Sequence, residues 1–591
     1  MKLDKENVII ICITIAVIIA WALIYPKYQK ERAEERARIQ QEKVQQYNTQ
    51  TTAAPQTTPA PTVVSSTDTP KTAAPVTPAP AVSAKVITGQ RYVTISNDLL
   101  EAKIDVMTSA LDSITLKKFK VANAKEEKLV VTSANTKYKS LQPVIGNAKC
   151  ISAAAKKIND SSLQIISKWS DGLELIQLIS LKEGSYLIDV QYTFVNSAKN
   201  QLLIPEFLVW SAGVPPTQYL AGDKIYSERH NIDWHIAGAK SVVTGDPEAK
   251  ETKFKNLNSD ENVDWAGSTN KFFASILFLD KVNGGVAGGM RVDRTYHAKP
   301  EKPSDQYVQP YVGLALKNVT LPAGQSMTVS SMRYYFGPKE MNEIAKLPPT
   351  VMDAMHISYF SWFEFLARPM VRFLVWMNSL CNSYGIAIIV LTLLVRLIFW
   401  PITQKANTSM RKMSKLKPKM DEIREKYKSN PQEMNMRMME LYRVEKVSPL
   451  GGCLPILLQI PVFFALYSAL DSAVELRQVS FLWAEDLARP DLIGPQINLP
   501  FFGPTGLHPL VIAMTLLMVL QQKMTPSNMD PAQQKVMMLM PVIMLFMLYN
   551  LPSGLTLYWT VSQVFSILQM KYGQIIAERE EAKNAAAGTA K

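Results

Sequence analysis

Arg396 is the residue of most interest in this 591-residue chain, because it is a charged residue among apolar neighbours. It lies in an apolar stretch that contains no other ionisable residue between Tyr384 and Lys405. Two interpretations of this position remain open. The side chain could extend towards Lys405, about 13 Å further along a helix, and so leave the apolar region. Alternatively, it could line a water-accessible cavity and offer a positive charge inside a membrane.

Uncharged polar side chains recur in the neighbouring apolar segments. Thr556, Thr560 and Gln563 are spaced by four and three residues, which places them on one side of a helix. Thr392 precedes Arg396 by about one helical turn, and Gln459 adds an amide in another segment. Such residues commonly form hydrogen bonds between helices. In combination with an arginine, and with no Asp or Glu inside any apolar segment, they favour a hydrated groove.

Several kinds of chemistry are not supported by the sequence. The five histidines are scattered without an HExxH pair, and the four cysteines have neither zinc-site nor disulfide-framework spacing. The apolar segments lack the internal repeats and the coupling carboxylate that an ion-coupled transporter would use. We therefore expect a protein that is not an enzyme and that uses no metal or cofactor.

Six apolar segments are candidate transmembrane helices. Five of them cover residues 384–401, 451–470, 509–524, 536–551 and 555–572. The sixth is an N-terminal anchor within residues 1–26, whose apolar run is about as long as a spanning helix requires. A secretory signal peptide is the competing interpretation, because Ala20-Trp21-Ala22 resembles a cleavage site. The apolar run continues past that tripeptide, which favours an uncleaved anchor.

The distribution of charge predicts the orientation of these helices. The loop of residues 402–449 holds 12 Lys and Arg residues against 6 Asp and Glu residues, so the positive-inside rule places it in the cytoplasm. The acidic loop of residues 471–508 then lies outside. With six spans, both termini are cytoplasmic. The formal net charge of +13 is accordingly attributed to the anionic face of a membrane and not to nucleic acid.

The polar region before residue 347 has the period of β-strands. Ile188, Val190 and Tyr192 alternate with more polar neighbours, and Gly-containing turns such as Glu183-Gly184 separate the runs. Residues 91–346 are therefore predicted to form a large antiparallel β-sandwich. An envelope enzyme or a sugar-binding protein would need a constellation of acids, histidines or exposed aromatic residues here, and none is evident. Residues 27–90, a charged helix followed by a Thr/Ala/Pro-rich linker, should act as a spacer.

Two other segments are expected to be amphipathic helices. Residues 350–380 carry Glu364, Arg368 and Arg372 at intervals of four, and a spanning helix would bury this charged stripe at a high cost. We therefore predict an interfacial helix. The cytoplasmic loop of residues 402–449 is predicted to form a helical hairpin with arms at 404–428 and 432–446, the first bent at Pro418. Its methionines either pack within the hairpin or adapt to varied apolar partners.

Six motifs in the C-terminal half resemble those of one family. They are LLVRLIFWP at 393–401, VSPLGGCLP at 447–455, QIPVF at 459–463, VELRQ at 474–478, MPVI at 540–543 and LPSGL at 551–555. In this combination and order they resemble the YidC/Oxa membrane insertases. The N-terminal anchor and the long β-rich region resemble the Gram-negative YidC form, so the resemblance covers nearly the whole chain.

This resemblance implies an architecture, a function and partners. The fold would be a bundle of six transmembrane helices, five of them in an insertase core of residues 381–575, with a periplasmic β-supersandwich and a cytoplasmic tail of residues 576–591. The protein would insert and help to fold inner-membrane proteins, alone or with the Sec translocon. Its partners would be nascent membrane proteins, the lipid bilayer, the Sec translocon and the ribosome, without a specific nucleic-acid site.

The resemblance also implies roles for single residues. Arg396 would be the arginine of a hydrophilic groove that opens to the cytoplasm and to lipid but is closed to the outside. The other expected groove residues are Thr392, Gln459, Thr556, Trp559, Thr560 and Gln563, and the candidate substrate contacts are Phe463 and Tyr558. Family members often have a second tyrosine where this chain has Trp559, so the ring is kept here without the hydroxyl.

Overall fold

The structure is a computed structural model that describes residues 85–87, 90–120, 128–132, 136–214, 230–283, 285–299, 302–357, 363–445, 447, 454–499, 503–525 and 531–588. All of these belong to one of the two units into which the chain divides, Pro80–Lys591. The predicted N-terminal anchor, residues 1–26, and most of the predicted linker, residues 27–90, lie outside the described residues.

The described residues between Lys85 and Pro338 form eighteen strands and one short helix. The strands are β1 Lys85–Ile87, β2 Tyr92–Ser96, β3 Leu100–Asp105, β4 Ala110–Lys120, β5 Lys128–Thr132, β6 Gln142–Ile145, β7 Cys150–Asn159, β8 Ser162–Trp169, β9 Glu174–Leu181, β10 Leu187–Val195, β11 Leu202–Ala212, β12 Asn231–Ile236, β13 Val243–Gly245, β14 Val263–Thr269, β15 Phe273–Val282, β16 Val286–Lys299, β17 Lys302–Leu321 and β18 Ser326–Pro338. The helix α1, Glu251–Lys255, follows β13.

These strands pair antiparallel in three sheets, which we call the β-domain. The largest sheet has ten strands in the order β1-β7-β8-β9-β10-β18-β15-β14-β12-β13, and two four-stranded sheets have the orders β16-β17-β11-β6 and β2-β3-β4-β5. In β10 every second side chain, from Ile188 to Phe194, is buried, as the alternation in the sequence predicts. The predicted antiparallel β-sandwich is confirmed.

A helical segment leads from the β-domain to the C-terminal half. Helix α2, Met341–Ile344, and a 3-10 helix, Pro349–Met355, precede helix α3, Glu364–Cys381. In α3 the side chain of Arg368 pairs with Glu364, one turn earlier, at 3.1 Å. The bounds of these helices show that the predicted interfacial segment, residues 350–380, contains a 3-10 helix and an α-helix and is not one continuous helix. Its position in the membrane interface stays a prediction.

The rest of the described C-terminal half contains seven further α-helices and a short 3-10 helix, Val474–Leu476. The α-helices are α4 Tyr384–Lys415, α5 Lys417–Lys426, α6 Pro431–Val444, α7 Leu454–Ser472, α8 Pro509–Met524, α9 Pro531–Leu548 and α10 Ser553–Gly588. A β-hairpin, β19 Ile493–Leu499 and β20 Gly503–Leu507, lies in the loop between α7 and α8. Each of the five predicted C-terminal spans thus corresponds to a helix, and α8 has the predicted bounds.

Only part of the membrane topology follows from these helices. Among the described residues, α4 is long and apolar enough to cross a membrane, and shorter apolar helices occur at Pro509–Met524 and Met537–Leu548. The count of six spans therefore stays a prediction. Helix α4 is about 48 Å long at 1.5 Å per residue, which exceeds the thickness of a hydrocarbon layer, about 30 Å.

The loop of residues 402–449 differs from its predicted structure in one respect. The first predicted arm, residues 404–428, is divided between the end of α4 and the separate helix α5, with Leu416 between them. Pro418 lies in the first turn of α5, where its missing N–H costs nothing, whereas in a helix interior it would remove a hydrogen bond. The second arm is α6, which begins at Pro431 and is capped by the side chain of Asn430.

The C-terminal end of α7 and the loop after it contact the β-domain and α2 through polar groups, of which the pair of Lys271 with Asp471 is buried. The Nζ of Lys271, between β14 and β15, donates to a carboxylate oxygen of Asp471 at 2.6 Å. The backbone N–H of Met341 donates to Glu475 at 2.9 Å, and the amide of Gln478 exchanges two hydrogen bonds with the backbone of Lys120. These contacts fix the loop that follows α7 against the β-domain.

Candidate functional site

Arg396 lies on α4 where this helix packs against α10. Its Nε donates to the Oγ of Ser562 at 2.8 Å, and its Nη2 donates to the same oxygen. Ser562 is buried, whereas the neighbours of Arg396, Leu397 and Ile398, are 66% and 60% exposed. The guanidinium therefore points into the helix bundle and away from the exposed apolar face of α4.

Tyr558 extends this polar contact to a third helix. It lies four residues before Ser562, so both side chains occupy one face of α10. Its buried hydroxyl accepts a hydrogen bond from the Nε2 of Gln459 on α7 at 2.6 Å. Arg396 and Gln459, on two different helices, thus meet the same face of α10. We call Arg396, Ser562, Tyr558 and Gln459 the polar cluster.

An aromatic pair lies next to the polar cluster. The rings of Phe463 on α7 and Trp559 on α10 are 4.9 Å apart at their centroids and meet edge to face. Both side chains are half-buried, so each offers part of its ring to the surroundings. Such a pair contributes about 0.5–1.5 kcal/mol beyond the burial of its area, which helps to hold α7 against α10.

The predicted threonines of the groove direct their hydroxyls to the backbone. Thr392, Thr556 and Thr560 each donate to a carbonyl oxygen three or four residues earlier on the same helix, at 2.7–3.1 Å. Thr560 also donates to the carbonyl oxygen of Leu510 on α8 at 3.3 Å. The face of α10 that carries Thr556, Thr560 and the buried Gln563 therefore contacts α8, while a different face meets Arg396.

Ser562 is the residue of this cluster that the sequence reasoning missed. The spacing of Thr556, Thr560 and Gln563 pointed to another face of the same helix. Tyr558, Ser562 and Gln569 are separated by four and seven residues, and this second stripe could have been recognised. Gln569 confirms that this face meets α4, because its Nε2 donates to the Oγ1 of Thr403 at 2.7 Å.

The loop between α7 and α8 covers the N-terminal ends of α8 and α10. The N–H of Gly554 donates to the carbonyl oxygen of Leu487 at 2.9 Å, and the N–H of Leu510 donates to the side chain of Asp491 at 2.7 Å. Burial raises the pKa of Asp491, and the bonds from Trp483 and Leu510 act in the opposite direction. The N-terminal N–H groups of both helices thus find acceptors in the loop.

Metal coordination finds no support in the geometry. Within the part of the chain that the structure describes, no three His, Cys, Asp or Glu side chains are placed so that they could hold a metal ion. The polar cluster itself contains donors and hydroxyls but no carboxylate.

The chain is similar in sequence to known proteins over most of its length. Residues 92–373 match a family model described as YidC periplasmic domain, and residues 376–580 match one described as 60Kd inner membrane protein. A membrane protein insertase YidC of Pelobacter propionicus is 31% identical over 504 residues, which cover 82% of this chain and 86% of that relative. The YidC of Syntrophobacter fumaroxidans is 48% identical over 239 residues, and the chain spans only 42% of its length.

The chain also aligns with a solved structure over much of its length. This is the crystal structure of an active YidC insertase with the first transmembrane domain resolved, 18% identical, and the alignment covers 83% of this chain and 93% of that chain at a TM-score of 0.34. The family assignment rests on the sequence comparisons. Since the Pelobacter relative is matched over most of its length, the chain belongs to the YidC family of membrane protein insertases.

Proposed function

We propose that the protein inserts other proteins into the inner membrane and that Arg396 receives the polar or acidic ends of these substrates. One observation carries the role of Arg396. Its guanidinium is bonded to the neutral hydroxyl of Ser562, and no carboxylate among the described residues pairs with it. The described residues therefore do not neutralise the positive charge, which remains available to an anionic group of a substrate.

The mechanism is an exchange of hydrogen-bond acceptors. A substrate carboxylate that approaches Arg396 replaces the hydroxyl of Ser562, because a carboxylate adds the attraction of a negative charge and can accept two parallel hydrogen bonds from the guanidinium. The amide of Gln459 and the hydroxyl of Tyr558 supply further polar partners on the opposite side. These groups lower the cost of removing a short polar tail from water.

The apolar segment of the substrate supplies the driving force. Its transfer into lipid contributes about 25 cal/mol per Å² of apolar surface removed from water. The half-buried rings of Phe463 and Trp559 lie beside the polar cluster and offer this segment an apolar surface. Tyr558, which is buried and bonded to Gln459, acts in this proposal as part of the polar wall.

Topology and partners belong to the same proposal. The basic loop of residues 402–449 supports a cytoplasmic position for the α5–α6 hairpin and a periplasmic position for the β-domain, with both termini in the cytoplasm. A chaperone role and cooperation with the Sec translocon and the ribosome have support only from the family resemblance. No enzymatic step and no cofactor are part of the mechanism.

Insertion into proteoliposomes tests this function. The purified full-length chain is reconstituted, and a single-span substrate with an acidic tail is scored by protease protection. Empty liposomes give the background, and Lys405→Ala, which removes an exposed charge from the same helix, is the matched control. We expect insertion by the wild type and the control, and a loss of at least ten-fold with Arg396→Ala. Undiminished insertion with Arg396→Ala would remove the arginine from the mechanism, and insertion no better than empty liposomes would refute the function.

A further inference from the structure

Arg411 joins α4 to α10 on the cytoplasmic side of the polar cluster. Its Nη1 donates to the backbone carbonyl oxygen of Gly573, and its Nη2 donates to that of Met570 at 3.2 Å. Both carbonyls lie in the interior of α10 and have a second lone pair beyond the one used within the helix. The arginine therefore binds the backbone of α10 and not one of its side chains.

Gly573 makes this contact possible. A Cβ atom at this position would lie 2.3 Å from the Nη2 of Arg411, far closer than any van der Waals contact. The atom it would displace is the far end of a flexible side chain and not part of the backbone. Any larger residue at 573 would thus expel the guanidinium but leave α10 itself undisturbed. Glycine in a helix interior is otherwise unfavourable compared with alanine.

Among the described residues, three side chains donate hydrogen bonds between these two helices, and Arg411 is the last of them. The first joins Arg396 to Ser562, and the second joins Thr403 to Gln569 at 2.7 Å. Positions 396 and 403 are seven residues apart on α4, as are positions 562 and 569 on α10, so the helices run parallel. The third contact extends this pairing to the last turns of α4.

The α5–α6 hairpin has a small core of its own beyond this point. Leu416, Met420 and Val447 are buried there and pack against Met438 and Leu441. This cluster is separate from the core of the helix bundle. The direction of the hairpin consequently depends on its connections, of which α4 is one. The return connection to α7, residues 448–453, lies outside the described residues.

We propose that Arg411 is a positioning residue, which fixes the end of α4 on α10 and thereby sets the direction of the hairpin at the cytoplasmic mouth. Gly573 is required for this bond. The effect on substrate delivery rests on the proposed insertase function, whereas the effect on the hairpin does not. A hairpin held in one direction presents its exposed methionines, among them Met436 and Met439, consistently towards arriving chains.

Spin-label distances test the structural part of this proposal. In the full-length chain with its four native cysteines replaced, labels are placed at the exposed positions Met436→Cys on α6 and Leu568→Cys on α10. The matched control is Lys412→Ala, which removes an exposed positive charge next to Arg411. We expect one narrow distance distribution in the parent and the control, and a distribution at least twice as broad in both Arg411→Ala and Gly573→Ala.

Gly573→Ala separates positioning from stability. Alanine favours the helix more than glycine does. The melting temperature of the Gly573→Ala variant should therefore be equal to or above that of the parent, even while its distance distribution broadens. Unchanged distributions in both variants, or equal broadening in Lys412→Ala, would overturn the proposal. Insertion rates add the functional readout: with Gly573→Ala the apparent KM for substrate should rise several-fold at an unchanged kcat. If the parent shows no insertion at all, the proposed function fails, and the distances still decide whether the arginine positions the hairpin.

Discussion

Removal of the carboxylate of Asp471 should weaken the contact between the β-domain and α7 severely. The Nζ of Lys271 lies 2.6 Å from this carboxylate, and the two side chains are only 6% and 1% exposed. Loss of one partner from such a buried pair leaves an uncompensated charge and costs about 3–5 kcal/mol. The exposed pair of Lys157 with Asp160 is the natural comparison, because exposed pairs contribute about 0–1 kcal/mol.

Thermal unfolding of the full-length chain in detergent measures this difference. One kcal/mol corresponds to about 2–4 °C for a unit of 150–250 residues, so Asp471→Asn should lower the melting temperature by roughly 6–20 °C. Asp160→Asn should lower it by less than about 4 °C. The double variant Lys271→Met/Asp471→Leu has no unpaired charge and should recover most of the loss. A melting temperature of Asp471→Asn equal to that of the wild type, or a double variant no more stable than either single variant, would refute the reasoning.

Three further substitutions test other parts of the structure. Burial, reinforced by the nearby carboxylates of Glu475 and Glu343, raises the pKa of Glu340 from 4.5 to about 7, so the wild type loses stability as the pH rises from about 4.5 to 7. Urea unfolding midpoints should therefore show Glu340→Gln more stable than the wild type, by up to about 3 kcal/mol, above pH 7, and the difference should disappear below about pH 4.5; a difference that does not change with pH would contradict this. A Cβ at Gly385 would lie 2.0 Å from the ring of Phe481, so Gly385→Ala should cost about 1–3 kcal/mol in thermal unfolding, and an unchanged melting temperature would show that the ring moves freely. Ser562→Ala removes the resting acceptor of Arg396 and should leave insertion of acidic tails intact while lowering the melting temperature, and loss of insertion would show that the hydroxyl itself is needed.

Periodicity and composition were sufficient to predict several elements of the fold. The alternation around Val190 predicted a two-sided strand, and apolar segment length predicted α8 within its observed bounds. Pro418 was expected to bend the first arm of the hairpin; the structure instead has a break between α4 and α5 there, with Pro418 in the first turn of α5. These features depend on local backbone chemistry, which the sequence displays directly.

The contacts of individual side chains were harder to predict from the sequence. Arg396 and Gln459 were recognised by their polar character in apolar segments, and both belong to the polar cluster. The face of α10 that meets them was not predicted, because α10 carries two polar stripes and packs against both α4 and α8. The choice between the stripe of Thr560 and that of Ser562 depends on the arrangement of three helices, which periodicity within one helix does not contain.

The buried contacts between distant segments were also absent from the sequence reasoning. Lys271 and Asp471 are separated by 200 positions, and each looks like an ordinary surface residue in its own segment. The same holds for Arg411, whose bond to α10 depends on the missing side chain of Gly573. Pairings of this kind follow from tertiary packing and therefore become visible only in the structure.

The most direct test of the central claim measures insertion as a function of the charge on the substrate. A series of otherwise identical single-span substrates carries tails of net charge −2, −1, 0, +1 and +2, and each is inserted by wild-type and Arg396→Gln proteoliposomes. If the unpaired guanidinium of Arg396 solvates the tail, the wild type favours the acidic tails, and Arg396→Gln removes this preference while neutral tails insert at similar rates. The same charge preference in both proteins would contradict the account.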